Sequence, residues 1–581
     1  MSNEAEKLNH LRHSLAHLLA AAVLEMYPGT KNTIGPAIEN GFYYDFDFVS
    51  PISDKDLPKI EKKMREMLKS WKSFESKEVK QKEALETYKD NLYKIELINE
   101  IANKKEKITF YTSGKFTDLC RGGHLENPAK EIKADAFKLD RVAGAYWRGD
   151  EKNKMLTRIY GLAFETREEL DTYIAQVEEA KKRDHKKLGK ELDLFTFSEL
   201  VGAGLPLWTP NGTLIRDELD SFVWKLRQAV GYKRVDIPHI TKKELYETSG
   251  HWDKFKDDLF RITTREGHEF AMKPMNCPHH TQIFARRQWS YREMPERYAS
   301  TTKVYRDEQT GELAGLSRVR SITQDDAHVF CRNGQVKEEI SKIYDIVKTF
   351  YGAFGFTLTP RLSLHDPKNM SAYLGTEEVW LKAEEELRSI VKKKGEIALE
   401  AVGEAAFYGP KIDFMAKDSL GREWQVATIQ LDSNMPERFD LNCINEKGEK
   451  ERIVMIHAAI MGSIERFLAI LIEHLAGAFP LWLSPVQMSV MPISEAHHKF
   501  ATEVYEKLKS SDIRAELNLD NESLGKKIRS FKLAKIPYAI VIGDKEVESK
   551  MLTVEKRDGT KENISVEDLL KKLKEEIKDH K

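Results

Sequence analysis

The segment from Val304 to Cys331, VYRDEQTGELAGLSRVRSITQDDAHVFC, constrains this chain more than any other. Turn residues Gly311 and Gly315 separate two short runs with apolar positions, which predicts two antiparallel strands around a loop. The segment also carries three arginines, paired acids and His328. Any one of these is common in a solvated hairpin with surface ion pairs, which contribute little to stability. The complete set in one hairpin favours a binding site for a polyanion.

Size and charge limit the class of protein. At 581 residues the chain is too long for one hydrophobic core, so we expect about three or four domains. The formal net charge of −1 excludes nucleic-acid binding by bulk charge, and any such contact must use local patches. No signal peptide or apolar run of membrane-spanning length is present, so no membrane partner is expected. The four cysteines form no Cys-x-x-Cys pair, which indicates a reducing, cytoplasmic location.

Two pairs of reactive side chains lie near the N-terminus. His13 and His17 are four residues apart in a predicted helix, Leu8–Tyr27, so they share one face of it. Cys120 and His124 have the same spacing beside a glycine turn. Such histidines most commonly pack against a core, but the two pairs could also bind a metal or hold a hydrolytic water. Spacing alone does not separate these alternatives.

Capping signals and prolines divide the chain. Thr166–Glu169 is a capping box that begins a helix. The basic run Lys181–Lys190 within it is interpreted as a solvated inter-domain helix, with a phosphate-contacting strut as the alternative. Strands and helices alternate after Pro485, which predicts a small doubly wound α/β domain. The expected divisions are 1–165, a linker helix at 166–190, 191–479 and 480–581.

Three motifs in order carry a family resemblance. Three segments are similar to the three motifs of class II aminoacyl-tRNA synthetases. They are the helix Asn211–Val230 with the strand Tyr232–Ile237 and Pro238, the segment Tyr305–Arg320, and Gly462–Arg466. MKPMNCP, TQDDAH and AFYGPKID lie between them. The chain therefore resembles bacterial threonyl-tRNA synthetases over essentially its full length. Many family members carry a further small N-terminal domain, which we expect this chain to lack.

The resemblance implies a multidomain α+β and α/β fold. Its parts would be an N-terminal α+β editing domain, a class II catalytic domain with an antiparallel sheet, and a C-terminal doubly wound α/β anticodon-binding domain. It also implies a threonine–tRNA ligase that activates L-threonine with ATP, transfers it to tRNA(Thr) and hydrolyses mischarged seryl-tRNA(Thr). A homodimer through the catalytic domain is expected, because the first motif is a dimer-interface element in this class.

The activation step brings two anions together, so cationic groups must hold the phosphates in line. Arginine suits this role because its planar fork binds phosphate in a bidentate manner and stays charged. By resemblance, Arg306 contacts the α-phosphate, and Arg466 contacts the γ-phosphate and lies along the adenine. Glu308 accepts from the adenine amino group, and Arg318 contacts the phosphate tail with Mg²⁺. An ion pair with the adjacent Glu465 or with a nearby aspartate is the alternative role for Arg466. Two further catalytic positions match, Lys411 and Gln425.

By resemblance, Cys277, His328 and His457 are the ligands of one Zn²⁺ per chain. Their spacing resembles no closed zinc finger, and a lone cysteine is more often a small buried hydrophobe. Two imidazoles and a thiolate nevertheless suit zinc and leave a position open for substrate. In the family, the amino and hydroxyl groups of threonine bind the metal and Asp326 accepts from the hydroxyl, so valine would leave both unpaired. Four supporting pocket positions match: Gln324, Tyr408, Gln430 and Ser463.

Serine differs from threonine by one methyl group, worth about 1–3 kcal/mol or roughly 10–200-fold. A second, hydrolytic site is therefore expected, with water attacking the seryl ester. Related alanyl-type editing domains place zinc on this pattern, whereas threonyl editing sites generally work without it. The matching editing residues are His13, His17, Tyr44, Lys94, Asp118, Cys120 and His124. The positions that match anticodon contacts, where polar groups read exposed base edges, are Asn521, Arg529 and Glu546.

Several positions depart from the family pattern. Ile322 stands where an aromatic side chain usually sandwiches adenine, and we expect it to weaken ATP binding without abolishing activation. Glu555 reverses the charge of an expected anticodon-contacting arginine. The other departures are Gly123 for proline, His279 for glycine, Ser321 for glycine and Ala458 for arginine.

Two alternatives compete with a threonine–tRNA ligase. A class II synthetase for proline or serine would not be expected to retain the zinc set together with Asp326. A catalytically inactive, synthetase-like RNA-binding regulator would be expected to lose Arg306 or Arg466, and both are present.

Overall fold

The computed structural model describes residues 3–580. The chain divides into two compact units, and the division falls between Glu178 and Glu179. This point lies inside the predicted linker, which consists of two helices, Arg167–Arg183 and His185–Glu191, rather than one. Among the described residues, none of the helices has both the length and the apolar character needed to cross a membrane.

The first unit is an α+β domain. Its helices are α1 (Asn3–Met26), α2 (Leu57–Leu68), α3 (Gln81–Thr87), α4 (Leu92–Asn103), α5 (Pro128–Glu131) and the start of α6 (Arg167–Arg183). Its strands are β1 (Lys31–Asn32), β2 (Ala37–Ile38), β3 (Gly41–Asp47), β4 (Glu75–Val79), β5 (Ile108–Ser113), β6 (Phe116–Leu119), β7 (Phe137–Tyr146) and β8 (Met155–Ala163). One sheet has the order β1-β3-β8-β7 with β2 on β3, and the other has the order β4-β5-β6.

Helix α1 is the central element of this first core. Leu15, Leu18, Leu19 and Val23 lie on its apolar side and are fully buried. The helix ends before Pro28-Gly29, as predicted, because proline cannot continue it and Gly29 adopts a positive φ of 86°. This placement sets His13 and His17 in the same helix that carries the core.

The second unit begins with the domain that contains the predicted hairpin. Its helices are α7 (His185–Glu191), α8 (Pro210–Ala229), α9 (Lys243–Ser249), α10 (His251–Lys254), α11 (Cys277–Ala285), α12 (Val336–Gly352), α13 (Glu377–Lys393), α14 (Asn434–Arg438) and α15 (Ile464–His474). Its strands are β9 (Phe195–Thr196), β10 (Leu207–Trp208), β11 (Lys233–Arg234), β12 (Ile240–Lys242), β13 (Arg261–Thr263), β14 (Glu269–Met272), β15 (Trp289–Ser290), β16 (Glu296–Tyr305), β17 (Ser321–Cys331), β18 (Thr357–Leu364), β19 (Leu399–Val402), β20 (Lys411–Lys417), β21 (Glu423–Asp432), β22 (Asn442–Ile444), β23 (Lys450–Arg452) and β24 (Val454–Ser463).

An eight-stranded sheet organises this domain, in the order β11-β16-β17-β24-β21-β20-β18-β19. Its central pairs are antiparallel, and only the edge pairs β11–β16 and β18–β19 are parallel. The predicted hairpin is confirmed as β16 and β17. The strand predicted after α8, Tyr232–Ile237, is shorter than expected, because only Lys233 and Arg234 pair with β16.

The remaining residues form the predicted α/β domain. Its helices are α16 (His498–Ser510), α17 (Leu524–Leu533), α18 (Asp544–Ser549) and α19 (Val566–Lys578). Its strands are β25 (Met488–Pro492), β26 (Ala515–Leu517), β27 (Tyr538–Ile542), β28 (Leu552–Lys556) and β29 (Lys561–Ile564). The sheet has the order β26-β25-β27-β28-β29, parallel at β26-β25-β27 and antiparallel beyond. The two antiparallel pairs, β27–β28 and β28–β29, make this a mixed sheet. Sequence patterning had missed the short elements β26, α18 and β29.

Candidate functional site

A cavity of about 690 Å³ lies over one face of the eight-stranded sheet. Strands β17, β20, β21 and β24 and the first turn of α15 all contribute side chains to it. Eleven of the predicted site residues line it: Arg306, Gln324, Asp326, His328, Tyr408, Lys411, Gln425, Gln430, His457, Ser463 and Arg466. Residues more than 150 positions apart in sequence are therefore brought to one site by adjacent strands.

Cys277, His328 and His457 form a compact, buried set of metal-ligand atoms at one end of this cavity. One ligand atom from each lies within 4.8 Å of the others. Nε2 of His328 is 3.1 Å from Nδ1 of His457. The opposite nitrogens are already engaged, since His457 Nε2 lies 2.9 Å from Asp432 Oδ2 and His328 Nδ1 lies 2.7 Å from His280 Nδ1. Such outer partners orient imidazoles toward a metal, and the N, N, S donor set fits zinc.

Sequence reasoning missed His280 and Asp432, which hold the two imidazoles. His280 is buried and its other nitrogen lies 3.1 Å from Ser300 Oγ. It also missed His251, which lines the cavity with Nε2 at 3.8 Å from Cys277 Sγ. The only local signal for His280 was its position three residues after Cys277, and no spacing pointed to Asp432 or His251.

The adjacent acids Asp325 and Asp326 lie on opposite faces of β17, as strand geometry requires. Asp325 accepts from the Ile460 and Met461 backbone N–H groups at 2.9 Å each, and from Arg227 at 3.1 Å. Asp326 faces the cavity, where it accepts from Asn276 Nδ2 at 3.1 Å. Burial raises the pKa of both carboxyl groups, that of Asp325 to about 6. Asp325 is therefore a structural acid and Asp326 a pocket acid.

Two arginines reach the cavity from different elements. Arg306, after β16, lies 5.3 Å over the Phe255 ring, and its Nε is buried without a hydrogen-bond partner. Arg466 is in the first turn of α15, whose N-cap Ser463 accepts from the Arg466 backbone N–H at 3.1 Å. The alternative pairing of Arg466 with Glu465 does not occur, because the Glu465 carboxylate accepts from Thr323 N and Oγ1 at 2.7 Å each. Both guanidinium groups are therefore available to an anion in the cavity.

Glu308 and Arg318 lie in the loop between β16 and β17 and do not line the cavity. The Arg318 guanidinium donates to Glu308 at 2.7 Å and to Glu312 at 2.9 Å. Ile322 follows this loop in β17, where it pairs with Val304. The contacts of Glu308 and Arg318 with a nucleotide stay predictions.

Lys411 and Gln425 are held by a buried acid that sequence reasoning did not single out. Asp413 accepts from Lys411 Nζ at 2.8 Å and from Gln425 Nε2 at 2.7 Å. Arg361 donates to Gln425 Oε1 at 3.0 Å. The amide of Gln425 is thereby fixed in orientation, with its neighbours supplied by β18 and β20.

The first unit contains a second cluster of reactive groups. Nε2 of His13 is 3.2 Å from Nε2 of His17. Sγ of Cys120 is 3.5 Å from Nε2 of both His13 and His124. A cavity of about 360 Å³ adjoins the cluster and is lined by His13, His17, Tyr44, Lys94, Asp118 and Cys120 among others. The predicted editing residues are thus brought together, and the four N and S atoms would also accommodate a metal.

Asp118 is the electrostatic centre of this second site. It is 1% exposed, and it accepts from Lys94 Nζ and Tyr44 Oη at 2.5 Å each. His17 Nδ1 lies 3.3 Å away. Burial alone would lower the pKa of His17, but hydrogen bonds to Asp118 and Cys120 raise it to about 9.

The pKa of the Cys120 thiol is lowered, whereas that of His17 is raised. Burial alone would raise its pKa, but hydrogen bonds to the three histidines lower it to about 3. A thiolate beside an imidazolium, with a lysine and a tyrosine next to them, can orient water and polarise an ester carbonyl.

The predicted anticodon residues have different surroundings. Asn521 and Arg529 are exposed, before and within α17. Glu546 is buried, and its carboxylate accepts from the Gly543 backbone N–H at 2.9 Å and from Thr553 Oγ1 at 2.6 Å. Glu555 is also buried and lies 3.6 Å from Lys532 Nζ and 3.2 Å from Lys561 Nζ. Base contact by Asn521 and Arg529 remains a prediction, while Glu546 already has structural partners.

Comparison with protein families matches three models along the chain. Residues 108–160 match the second additional domain of threonyl and alanyl tRNA synthetases. Residues 260–475 match the class II tRNA synthetase core for G, H, P, S and T, and residues 487–576 match an anticodon-binding domain. The three matches follow the order of the editing, catalytic and anticodon-binding regions.

Curated relatives extend the likeness over nearly the whole chain. It is 49% identical over 584 residues to the threonine–tRNA ligase of Flavobacterium johnsoniae, covering 99% of this chain and 89% of that protein. It is 51% identical over 562 residues to that of Porphyromonas gingivalis, covering 96% and 85%. A solved structure titled as the RNA binding domain of threonyl-tRNA synthetase from Cryptosporidium parvum matches with a TM-score of 0.65 and 37% identity, covering 68% of this chain and 98% of that one.

Proposed function

Because the chain belongs to the threonine–tRNA ligase family of class II aminoacyl-tRNA synthetases, we propose that its two cavities divide activation from editing. That family activates threonine with ATP, which forms threonyl-adenylate and releases pyrophosphate, and then transfers the threonyl group to tRNA with release of AMP. We assign activation to the cavity over the eight-stranded sheet. The observation that carries this assignment is the convergence of Cys277, His328 and His457 beside Asp326.

In the activation site, the three ligands would hold one Zn²⁺. The zinc would supply a Lewis-acid position open to the substrate's amino and hydroxyl groups. Asp326 would accept a hydrogen bond from the threonine hydroxyl, and its place at the cavity wall supports this. Valine would leave that buried carboxylate unpaired, which costs far more than a missing methyl group.

ATP, with Mg²⁺, would lie along the side of the cavity where Arg306 and Arg466 reach in. Both arginines would bind phosphate oxygens, Arg306 beside the attacked α-phosphorus, which offsets the repulsion between the two reacting anions. Lys411 and Gln425, held by Asp413, would hold polar groups of the bound substrates. Their fixed orientation supports a positioning role.

In the editing site, the buried network around Asp118 would position a water against the ester of seryl-tRNA. Lys94 and His17 keep Asp118 ionised, Tyr44 donates a hydrogen bond that fixes its carboxylate, and Asp118 in turn keeps His17 protonated. The pairing of thiolate and imidazolium supports hydrolysis without a metal. We expect Asp118→Asn to abolish seryl-tRNA deacylation while leaving threonine activation unchanged.

The remaining parts of the assignment concern partners. The tRNA would be held at the C-terminal domain through Asn521 and Arg529. A homodimer would form through the catalytic domain, where the apolar segment Phe197–Leu207 includes Leu200 at 99% exposure. We place the protein in the cytoplasm, which its four free cysteines support.

Metal analysis of the purified protein tests the assignment. One zinc per chain is expected, and Cys277→Ala should remove it. The matched control is Cys443→Ala, which truncates a buried thiol away from the ligand set and should retain zinc. Two zincs per chain, one surviving Cys277→Ala, would instead make the His13–His124 cluster a metal site and refute metal-free editing.

A further inference from the structure

A buried histidine outside both cavities contacts the loop that carries Glu308 and Arg318. His185 is the first residue of α7 and is 5% exposed. Its Nδ1 lies 2.7 Å from Glu473 Oε1, in the last turn of α15. Its Nε2 accepts a hydrogen bond from the Leu316 backbone N–H at 3.1 Å. One imidazole thus joins α7, α15 and the loop between β16 and β17.

These contacts define the ring's protonation and orientation. Because Nε2 accepts from an amide, the ring proton lies on Nδ1 and is donated to Glu473. Glu473 also accepts from Arg422 at 2.6 Å and from the His185 backbone N–H at 3.2 Å. Burial alone would raise the pKa of Glu473, but these hydrogen bonds lower it. Although Asp184, His185 and Glu473 cluster as a metal site would, both ring nitrogens are already used.

The loop is shaped to approach this histidine. Its tip is a tight turn in which Ala314 N–H donates to Arg318 O at 3.2 Å and Ser317 N–H donates to Ala314 O at 2.9 Å. Gly315 has a φ of +55°, and a Cβ there would lie 2.4 Å from His185 Nε2. Leu316 is fully buried in the main core. A larger residue than glycine could not bring the tip this close.

The base of the loop is held by hydrogen bonds that are separate from those of its tip. Arg306 N–H donates to Arg320 O at 3.0 Å, and Arg320 Nε donates to Glu308 O at 3.0 Å. Arg318 lies two residues after Leu316 in the tip turn. The position of its backbone therefore depends on the contact between Leu316 and His185.

We propose that His185 is a positioning residue for ATP: it anchors the tip of the loop so that Arg318 and Glu308 are placed for the nucleotide. The inference rests on the proposed function and on the ATP contacts that the family resemblance predicts for Arg318 and Glu308. It adds a residue from the segment next to the linker helix α6 to the activation site. His185 itself would touch no substrate and would act through the Leu316 amide.

A positioning role and a packing role differ in the kinetic constant they change. Freeing the loop tip weakens ATP binding and leaves the threonine site, on β17, β21 and β24, intact. Loss of packing alone would lower the melting temperature and change the Michaelis constants for ATP and threonine together or not at all. The ratio between the two Michaelis constants is therefore the informative readout.

The experiment measures pyrophosphate exchange with ATP and threonine varied separately, in the full chain. His185→Ala should raise KM for ATP by about tenfold, the change expected from one lost hydrogen bond, with KM for threonine within twofold. His185→Gln, whose Oε1 can accept from Leu316, should restore most of the ATP affinity. Lys187→Ala, on the exposed face of the same helix, is the matched control and should behave as wild type.

A second variant approaches the contact from the loop, and on its own it still tests the contact if His185→Ala does not fold. Gly315→Ala should raise KM for ATP, and its effect should shrink in the His185→Ala background because the clash at Nε2 is removed. Additive effects of Gly315→Ala and His185→Ala in the double variant would overturn the inference. So would a KM for ATP that neither single variant changes while Arg318→Ala raises it. Either result leaves the proposed function standing. An unchanged KM for ATP in Arg318→Ala would refute the assigned role of Arg318, and the inference with it.

Discussion

Asp325 and Asp326 are adjacent carboxylates with opposite surroundings. Asp325 is saturated by backbone N–H groups and Arg227, whereas Asp326 faces the cavity beside His328. A register shift between Gln324 and Asp326 in the pairing of β17 with β24 accompanies this arrangement. Both residues are aspartates, so their different roles follow from the face of the strand on which each lies.

Substitution of Asp326 should change the discrimination of threonine from valine, whereas substitution of Asp325 should change the stability of the fold. Asp326→Ala should lower kcat/KM for threonine about 10- to 100-fold, the range for a lost hydrogen bond to a charged group, and leave the small activity with valine nearly unchanged. Pyrophosphate exchange with each amino acid measures this. Asp325→Asn is the control and should lower the melting temperature while keeping the threonine-to-valine ratio. A ratio that is equally reduced in both variants would contradict the assignment.

The Cys120 thiol should react as a thiolate at neutral pH. Its pKa of about 3 lies below the ordinary value near 8.5, so the thiolate already predominates at pH 5. Alkylation of Cys120 should therefore have nearly the same rate at pH 5 and pH 8, whereas an ordinary thiol gains about tenfold per pH unit in this range. The other three cysteines are fully buried and should react slowly.

The control for this measurement is His124→Ala. It removes the hydrogen bond that contributes most to lowering the pKa of Cys120. The rate should then fall at low pH and rise with pH. A rate in the wild type that already rises steeply from pH 5 to pH 8 would show that Cys120 is an ordinary thiol.

Ile322 tests the nucleotide half of the site. It follows the loop of Glu308 and Arg318 in β17, and its aliphatic side chain offers no ring face for adenine to stack on. Ile322→Phe should lower KM for ATP several-fold in pyrophosphate exchange, with Ile322→Leu as a control of similar volume. No decrease with phenylalanine would refute the idea that this position weakens ATP binding.

At the scale of elements, the hairpin β16–β17 carries many of the predicted residues of the activation site. Its loop carries Glu308 and Arg318, and β17 carries Gln324, Asp326 and His328. Strand β24 then places His457 opposite His328 in register. The pairing of two strands, rather than a local motif, brings together the two histidines of the proposed zinc site.

Glu555 on β28 departs from the family pattern, and two neighbouring lysines balance its negative charge. Its buried carboxylate lies between Lys532 of α17 and Lys561 of β29. Glu555→Arg would place a third cation there, so we expect a lower melting temperature and no gain in tRNA charging. Glu555→Gln, which keeps the shape, should be milder. A stable arginine variant with improved charging would show instead that the reversed charge removes an anticodon contact.

The sequence predicted structure and site residues best where a single segment contains both the turn signals and the reactive side chains. The hairpin at Val304–Cys331 and the end of α1 could each be predicted, because their determinants are local. His280, Asp413 and Asp432 could not, since each acts through a partner brought close only by strand pairing. Short elements such as β26 and α18 were missed because two to six residues give no periodicity.

At the scale of the whole chain, the sites proposed for activation and editing lie in different compact units. The cavity with Asp326 is in the second unit, and the network around Asp118 is in the first. This separation fits the chemistry, because a site that uses the hydroxyl to reject valine cannot also reject serine strongly. Each site should therefore be removable without loss of the other.

The threonine specificity of the protein is tested most directly by amino-acid-dependent exchange of pyrophosphate into ATP, with threonine, serine, valine and proline compared on the same protein. We predict strong exchange with threonine, measurable exchange with serine, and almost none with valine or proline. Exchange that depends on proline, or no exchange with threonine, would contradict it.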